Sequence, residues 1–184
     1  NLMAIVLGID PGSRITGYGL IESSSGKLKY IASGRIKVSE RKDLAERLGL
    51  IYDGISEIVR KYQPTEFAVE KIFVSKSAAS ALKLGQARGA AIIAGSRQGA
   101  IFSEYEARKI KQAVVGTGSA TKKQVQLMVK SLLALSELPK EDAADALGIA
   151  ICHIHTHFSL GLINGRDRTL SFSRGRYSQE GDKA

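Results

Sequence analysis

Cysteine is almost absent: Cys152 is the single one in 184 residues. One cysteine cannot build an intrachain disulfide framework, so the small stapled folds of oxidising compartments are excluded and a reducing cytoplasm is expected. It lies within the apolar run 147–154, where an inert buried thiol is expected. Long hydrophobic runs are missing as well. No stretch approaches the roughly 20 apolar residues of a membrane span, so no membrane association is expected. The first apolar segment is broken by Asp10 and has no basic lead, which argues against a signal peptide. Asn1 and Leu2 precede Met3 and read as remnants of an expression tag. Internal repeats are lacking. Acids are scarce: 18 Asp and Glu stand against 27 Lys and Arg, a net charge of +9. That imbalance reads as polyanion binding, because each neutralised phosphate releases condensed counterions; the bland alternative is a merely basic surface.

What is present fits one domain with one core. The apolar fraction is 43% and the charged fraction 24%, enough of each for a packed globule. Residues 4–10 form a continuous apolar run of strand length, 17–22 a second strand, and 28–38 a third, with Ser24-Ser25-Gly26 as a turn. Strands so closely joined predict an antiparallel meander. Leu44, Leu48, Ile51, Ile55, Ile58 and Val59 recur every three or four residues, the spacing of an amphipathic helix, which Pro64 closes. The strand 67–70 follows that helix, so a crossover makes it parallel to a neighbour. A helix over 77–98, dense in Ala and Gly, packs on the sheet, forms a dimer seam, or does both on different faces. A fifth strand over 100–105 and helices over 107–115, 121–135 and 140–158 complete an α/β fold: a mixed sheet with helices on its faces. From residue 161 to 184 the chain is polar and Arg-rich, a basic tail expected to lack structure or to fold on a partner.

The chemistry concentrates in four acids set into apolar elements. Asp10 ends the first strand and precedes Pro11-Gly12; alone it reads as a turn residue. Period-two alternation puts Glu70 on one face with Ala68 and Ile72; alone it reads as a strand-end Glu reaching water or an Arg. Asp142 and Asp145 share one helix face. Like charges about 4 Å apart cost roughly 4 kcal/mol at an effective dielectric near 20. Helix capping explains Asp142 but not Asp145, which lies among Ala143, Ala144, Ala146 and Leu147. Together the four suit a hard divalent cation, Mg²⁺ or Mn²⁺, and with no Cys in the set they disfavour zinc. Two such ions would drive in-line attack on a phosphodiester.

Five segments carry a resemblance. Gly8-Ile9-Asp10-Pro11-Gly12-Ser13, Ala68-Val69-Glu70 with Phe73, the stretch 81–89 (Ala-Leu-Lys-Leu-Gly-Gln-Ala-Arg-Gly), Val114-Val115-Gly116-Thr117-Gly118, and the stretch 142–147 (Asp-Ala-Ala-Asp-Ala-Leu) resemble, in this order, the RuvC family of bacterial Holliday junction resolvases. The resemblance runs from about residue 3 to 158. It implies a ribonuclease-H-like fold with a central five-stranded mixed sheet, in a nuclease domain spanning 1–160. It also implies a homodimer and two symmetric Mg²⁺-dependent nicks across four-way junction DNA in recombination and repair. It implies that Asp10, Glu70, Asp142 and Asp145 are the catalytic, metal-binding acids, although some relatives carry His at the position of Asp142. It further implies 5′-phosphate and 3′-hydroxyl ends, a short preferred cleavage sequence, and association with the RuvA and RuvB branch-migration proteins.

Other residues take weaker readings. Phe73, beside Lys71 and Lys76, can stack on an unpaired base or pack in the core; the resemblance favours stacking. Lys111 lies near the Gly-rich loop 116–119 and Lys122 opens the next helix, a phosphate cradle at positions where the resemblance places DNA-contacting lysines. Lys123 reads as solvated. Lys76, Lys83 and Arg88 are further candidate DNA contacts, the last two equally able to meet solvent. His153 and His157 share a helix face, but with no Glu in the intervening motif and no Cys beside them, they and His155 read as core or surface histidines rather than metal ligands. Three rivals remain, one of them a related nuclease acting on RNA in hybrids. An actin-like or sugar-kinase ATPase also opens with Gly-Ile-Asp-x-Gly, but encloses its nucleotide between two lobes, for which this chain is too short. A non-catalytic junction-binding module gains nothing from carboxylates facing phosphate.

Overall fold

The computed structural model describes residues 3–71, 77–97, 99–166, 170–173 and 176–179, with side chains described up to His157. Three strands open the chain: β1 (Met3–Asp10), β2 (Ile15–Ser24) and β3 (Lys27–Lys37). They pair antiparallel as the meander that the sequence predicts. Ser25 and Gly26, both at positive φ, make the β2–β3 turn. The helix α1 (Leu44–Tyr62) is capped by the Asp43 side chain, which accepts from Glu46 N–H, and ends on left-handed Gln63 just before Pro64. Then follow β4 (Glu66–Glu70), α2 (Ala78–Ser96), β5 (Ile101–Tyr105), α3 (Ala107–Val115), α4 (Lys122–Leu132) and α5 (Glu141–Arg166). The strand β4 lies parallel to both β1 and β5, giving one mixed sheet in the order β3-β2-β1-β4-β5. Helix α5 runs eight residues past the end expected at 158. Beyond it β6 (Leu170–Ser173) and β7 (Arg176–Gln179) pair antiparallel as a separate ribbon.

Period-two alternation in β1 sorts its side chains between two cores. Leu7 and Ile9 face α1 and α2, meeting Ile51, Ile55, Phe67, Ala87 and Ala91. Val6 faces α5 and α4, meeting Leu147, Ile151, Val125 and Val129. Phe67 is fully buried, a burial that contributes about 2–3 kcal/mol. It lies so close to α2 that a Cβ on Gly95 would stand 2.8 Å from its ring. Small residues on α2 thus serve the sheet on one face. The other face exposes Leu82 and Ile93.

Helix α5 is apolar on nearly every side, from Ala143 to Ile154, because the sheet covers one side and α3 and α4 the other. Its backbone sits directly on glycines of the sheet. A Cβ on Gly8 would overlap the Ala146 carbonyl oxygen, one on Gly17 the Asp142 carbonyl oxygen, and one on Gly19 would stand 2.7 Å from the Leu147 side chain. Three glycines on two neighbouring strands therefore set how closely, and in what rotation, α5 approaches. Replacing Gly8 by Ala should cost about 3 kcal/mol in urea unfolding. Gly49, inside α1 with nothing within 4 Å of its missing Cβ, gives the contrast. There Ala should stabilise by about 0.5–1 kcal/mol.

Candidate active site

Adjacent parallel strands end together. Ile9 lies opposite Val69, so Asp10 and Glu70 occupy the next rung, side by side at the C-terminal ends of β1 and β4. The glycine seat of α5 delivers the other two acids. Gly17 is the cross-strand neighbour of Asp10, and Asp142 stands against Gly17. Asp145 follows one turn later on the same helix face. All four acids are thus brought to one end of the sheet, and each is only partly exposed.

Their mutual influence is visible in their protonation. Burial first, then the charges of Asp145, Glu70 and Asp142, push the Asp10 carboxyl up to about 7, against the pull of Lys122. Burial, followed by Asp145, raises Glu70, while Lys122 and Lys111 oppose. Burial also raises Asp145, with Lys122 the main opposing charge. The carboxylates keep their distance. Among the described residues, the three ligand atoms that stand mutually within 4.8 Å belong to Glu66, His153 and His157 rather than to these acids.

Two cations partly balance the acids. Lys122 Nζ, at the start of α4, lies 2.6 Å from Glu141 and 3.6 Å from Asp145. Arg35 reaches from β3 to 3.6 Å from Asp142. The sequence reading missed Arg35. Its only signal is register: Arg35 pairs with Gly17, which pairs with Asp10, a row that exists only once the strands are aligned. The reading also missed Glu66, which period-two spacing from Glu70 and Ala68 could have placed on the α5 face. The turn after Asp10 is held by local bonds: buried Thr16 Oγ donates to Gly12 C=O at 3.2 Å, and the Arg47 guanidinium donates to Ser13 C=O.

The remaining candidates are scattered around this end. Lys111 is half-buried on α3, near enough to Glu70 to lower its pKa. Lys83 is exposed on α2 beside a small cavity lined by Ser13, Arg47 and Ala87. Arg88 is engaged internally: its Nε donates to Glu70 C=O at 3.3 Å, and its guanidinium pairs with Glu104. Phe73 and Lys76 lie outside the described residues. Gly116 in the Gly-rich loop ends α3 at φ 88°, its N–H donating to Gln112 C=O. Cys152 is buried and its thiol is pushed up to about 11, mainly by that burial, as expected of an inert thiol.

A mixed sheet in this order, with acids meeting at the ends of its two central strands and a helix laid across them, defines a ribonuclease-H-like nuclease fold. Comparison with known proteins narrows the class. The family model described as "Crossover junction endodeoxyribonuclease RuvC" matches residues 6–153. A protein of that name from Saccharophagus degradans is 57% identical over 174 residues, 95% of this chain and 99% of that protein. One from Aeromonas salmonicida is 56% identical over 175 residues, again 95% of this chain and 99% of that protein. Thermus thermophilus RuvC, solved in complex with a Holliday junction substrate, superposes with a TM-score of 0.80 at 33% identity, over 85% of this chain and 96% of that one. A yeast mitochondrial Holliday junction resolvase, 12% identical, shares the fold with a TM-score of 0.58, over 85% of this chain and 82% of that one. The chain belongs to the RuvC family of crossover junction endodeoxyribonucleases, which are metal-dependent nucleases. Among the described residues no helix is long and apolar enough to cross a membrane.

The raised carboxyl has a consequence for stability. The folded value for Asp10 lies above the ordinary 3.8. Folding is therefore favoured below about pH 4 and loses that advantage as pH climbs toward 7, where the unfolded chain has already released its proton. In EDTA, Asp10→Asn should unfold at the same urea concentration as the parent near pH 4. At pH 8 it should be more stable by on the order of 2 kcal/mol. Equal stability at pH 8 would show that Asp10 carries no strain of charge.

Proposed function

We propose that this protein resolves four-way (Holliday) DNA junctions by paired symmetric nicks, cutting phosphodiesters with Mg²⁺ held by Asp10, Glu70, Asp142 and Asp145. The observation that carries this reading is the convergence of those four acids at one sheet end in a member of this family. The donor set fits the ion. All four ligands are hard oxygens; burial first, and then their mutual repulsion, raises the Asp10 pKa, and both costs are what a divalent cation relieves. Two Mg²⁺ per site, with Mn²⁺ able to substitute, would supply an activated water and a stabilised leaving oxygen. Attack of water on phosphorus with O3′ as the leaving oxygen would leave 5′-phosphate and 3′-hydroxyl ends.

The chain's own residues prepare the reaction. Asp10 and Glu70 are fixed by strand pairing, and Asp145 by the glycine seat of α5, so no large rearrangement is needed to gather them. Lys122 and Arg35 hold Asp145 and Asp142 in place and lower the cost of four like charges. Lys83, Lys111 and Lys122, on the rim, meet the DNA backbone, with Phe73 and Lys76 contributing stacking and charge. The Arg88 guanidinium, already committed to Glu104 and the Glu70 carbonyl, secures the end of β4 and reaches DNA only by exchanging those partners.

Paired nicks require two sites. Leu82, Gly85, Gly89 and Ile93 fall on one face of α2 at helical spacing; Leu82 and Ile93 are exposed, and nothing lies within 4 Å of a Cβ on either glycine. That face is the seam of a homodimer. The RuvA and RuvB branch-migration proteins are the partners in a cytoplasmic recombination and repair role.

A labelled mobile four-way junction tests the reading. The wild type should convert it to nicked duplexes with Mg²⁺ and not with EDTA. Asp145→Asn should bind the junction but cut at least a thousandfold more slowly, and Leu82→Glu should sediment as a monomer that yields only unpaired nicks. Full cleavage in EDTA, or by Asp145→Asn, would refute it.

A further inference from the structure

A second cluster of ligating groups lies away from the four acids. His153 is eight residues beyond Asp145 on α5, about 12 Å along the helix. Glu66 is at the opposite end of β4 from Glu70, about 13 Å along the strand. There one ligand atom each of Glu66, His153 and His157 lies within 4.8 Å of the other two. His153 Nε2 is 2.5 Å from Glu66 Oε2. The two imidazoles, one helical turn apart, lie at 4.3 Å between centroids and 33° between planes. His155 points away, its Nδ1 donating to Ala113 C=O at 3.1 Å.

We propose that Glu66, His153 and His157 form a binding site for a single Zn²⁺ ion, separate from the Mg²⁺-binding acids. Two imidazoles and one carboxylate are a standard zinc donor set, and such three-ligand sites leave a fourth position for water. Ligands about 2.0–2.1 Å from a tetrahedral ion stand roughly 3.3 Å apart, so side-chain adjustments of about 1 Å close the site. Exposed His157 provides the way in. His153, by contrast, is buried and oriented. Its Nδ1 lies 2.9 Å from Tyr105 Oη, and Tyr105 is itself buried. In the metal-free site Nε2–H donates to the Glu66 carboxylate and Nδ1 accepts from the Tyr105 hydroxyl. On binding, the neutral imidazole takes the tautomer protonated at Nδ1, which donates to that hydroxyl oxygen, and the Nε2 lone pair turns to the ion, the outer-shell arrangement that fixes metal-bound histidines. Nitrogen-rich ligation selects zinc here, just as all-oxygen ligation selects Mg²⁺ at the other end. The ion would pin the middle of α5 to the start of β4, two of the elements that carry the acids. This inference does not depend on junction cleavage.

Tag-free full-length protein, stripped with chelator, is titrated with Zn²⁺ against a chromophoric competitor. The wild type should take up one tight equivalent, and its thermal midpoint should rise with that equivalent. His157→Ala, a change at an exposed position, should weaken binding at least tenfold and abolish the rise. Glu66→Gln should weaken it similarly. His157→Cys, which restores a zinc ligand, should recover the affinity, and Asp145→Asn should leave it unchanged. Absence of a tight equivalent, unchanged affinity in His157→Ala, or loss in Asp145→Asn would each overturn the proposal. The last would put the ion at the four acids instead.

Discussion

Contact between the α5 backbone and three glycines is the constraint on which the site depends. Gly8 on β1 and Gly17 and Gly19 on β2 leave no side chain between sheet and helix, and the carbonyls of Asp142 and Ala146 occupy that space. Any larger residue there would lift or rotate the helix. Because Asp142 sits against Gly17, and Gly17 pairs with Asp10, the same contact fixes where the helical acids lie relative to the strand acids. Repulsion among the four carboxylates opposes this packing. Burial of Leu147, Ala150 and Ile151 beneath the helix offsets it.

Charge is managed in layers. The acids lie innermost, with Lys122 and Arg35 at 3.6 Å from Asp145 and Asp142, and the wider surface carries the rest of the +9. Surface ion pairs of this length contribute little stability. The effect of Lys122 is on protonation: it pulls down Asp10, Glu70 and Asp145 alike. On the proposed reading, a basic chain thus presents an anionic pocket to DNA, its long-range field drawing phosphate and its short-range field a dication.

Much of this was legible in the sequence, for physical reasons that differ by element. The meander, the crossover to a parallel β4 and the amphipathic α1 follow from periodicity and linker length, which are local properties. The four acids stood out because charges within apolar runs are costly unless paired. Arg35 was not legible, and of Glu66 only the face was, since each gains its meaning from a neighbour on another element. Arg35 needs the β2–β3 register, and Glu66 needs α5 laid across β4 to meet His153. Lys122 was read as a phosphate contact because a helix start with lysines favours anions; its ties to Glu141 and Asp145 arise only where α4 packs on α5. Arg88 was read as a candidate DNA contact equally able to meet solvent, and its long side chain folds back to Glu104 and the Glu70 carbonyl. The glycines were visible as letters, but their purpose needed the helix above them.

The most direct measurement is an anomalous difference map from crystals soaked in Mn²⁺. The expected result is a peak within coordination distance of Asp10, Glu70 and Asp145 together, with α5 still seated on Gly8 and Gly17. A peak that Asp10 and Glu70 do not share, or no peak between the strand ends and α5, would contradict the idea that sheet and helix are packed this closely in order to hold a dication.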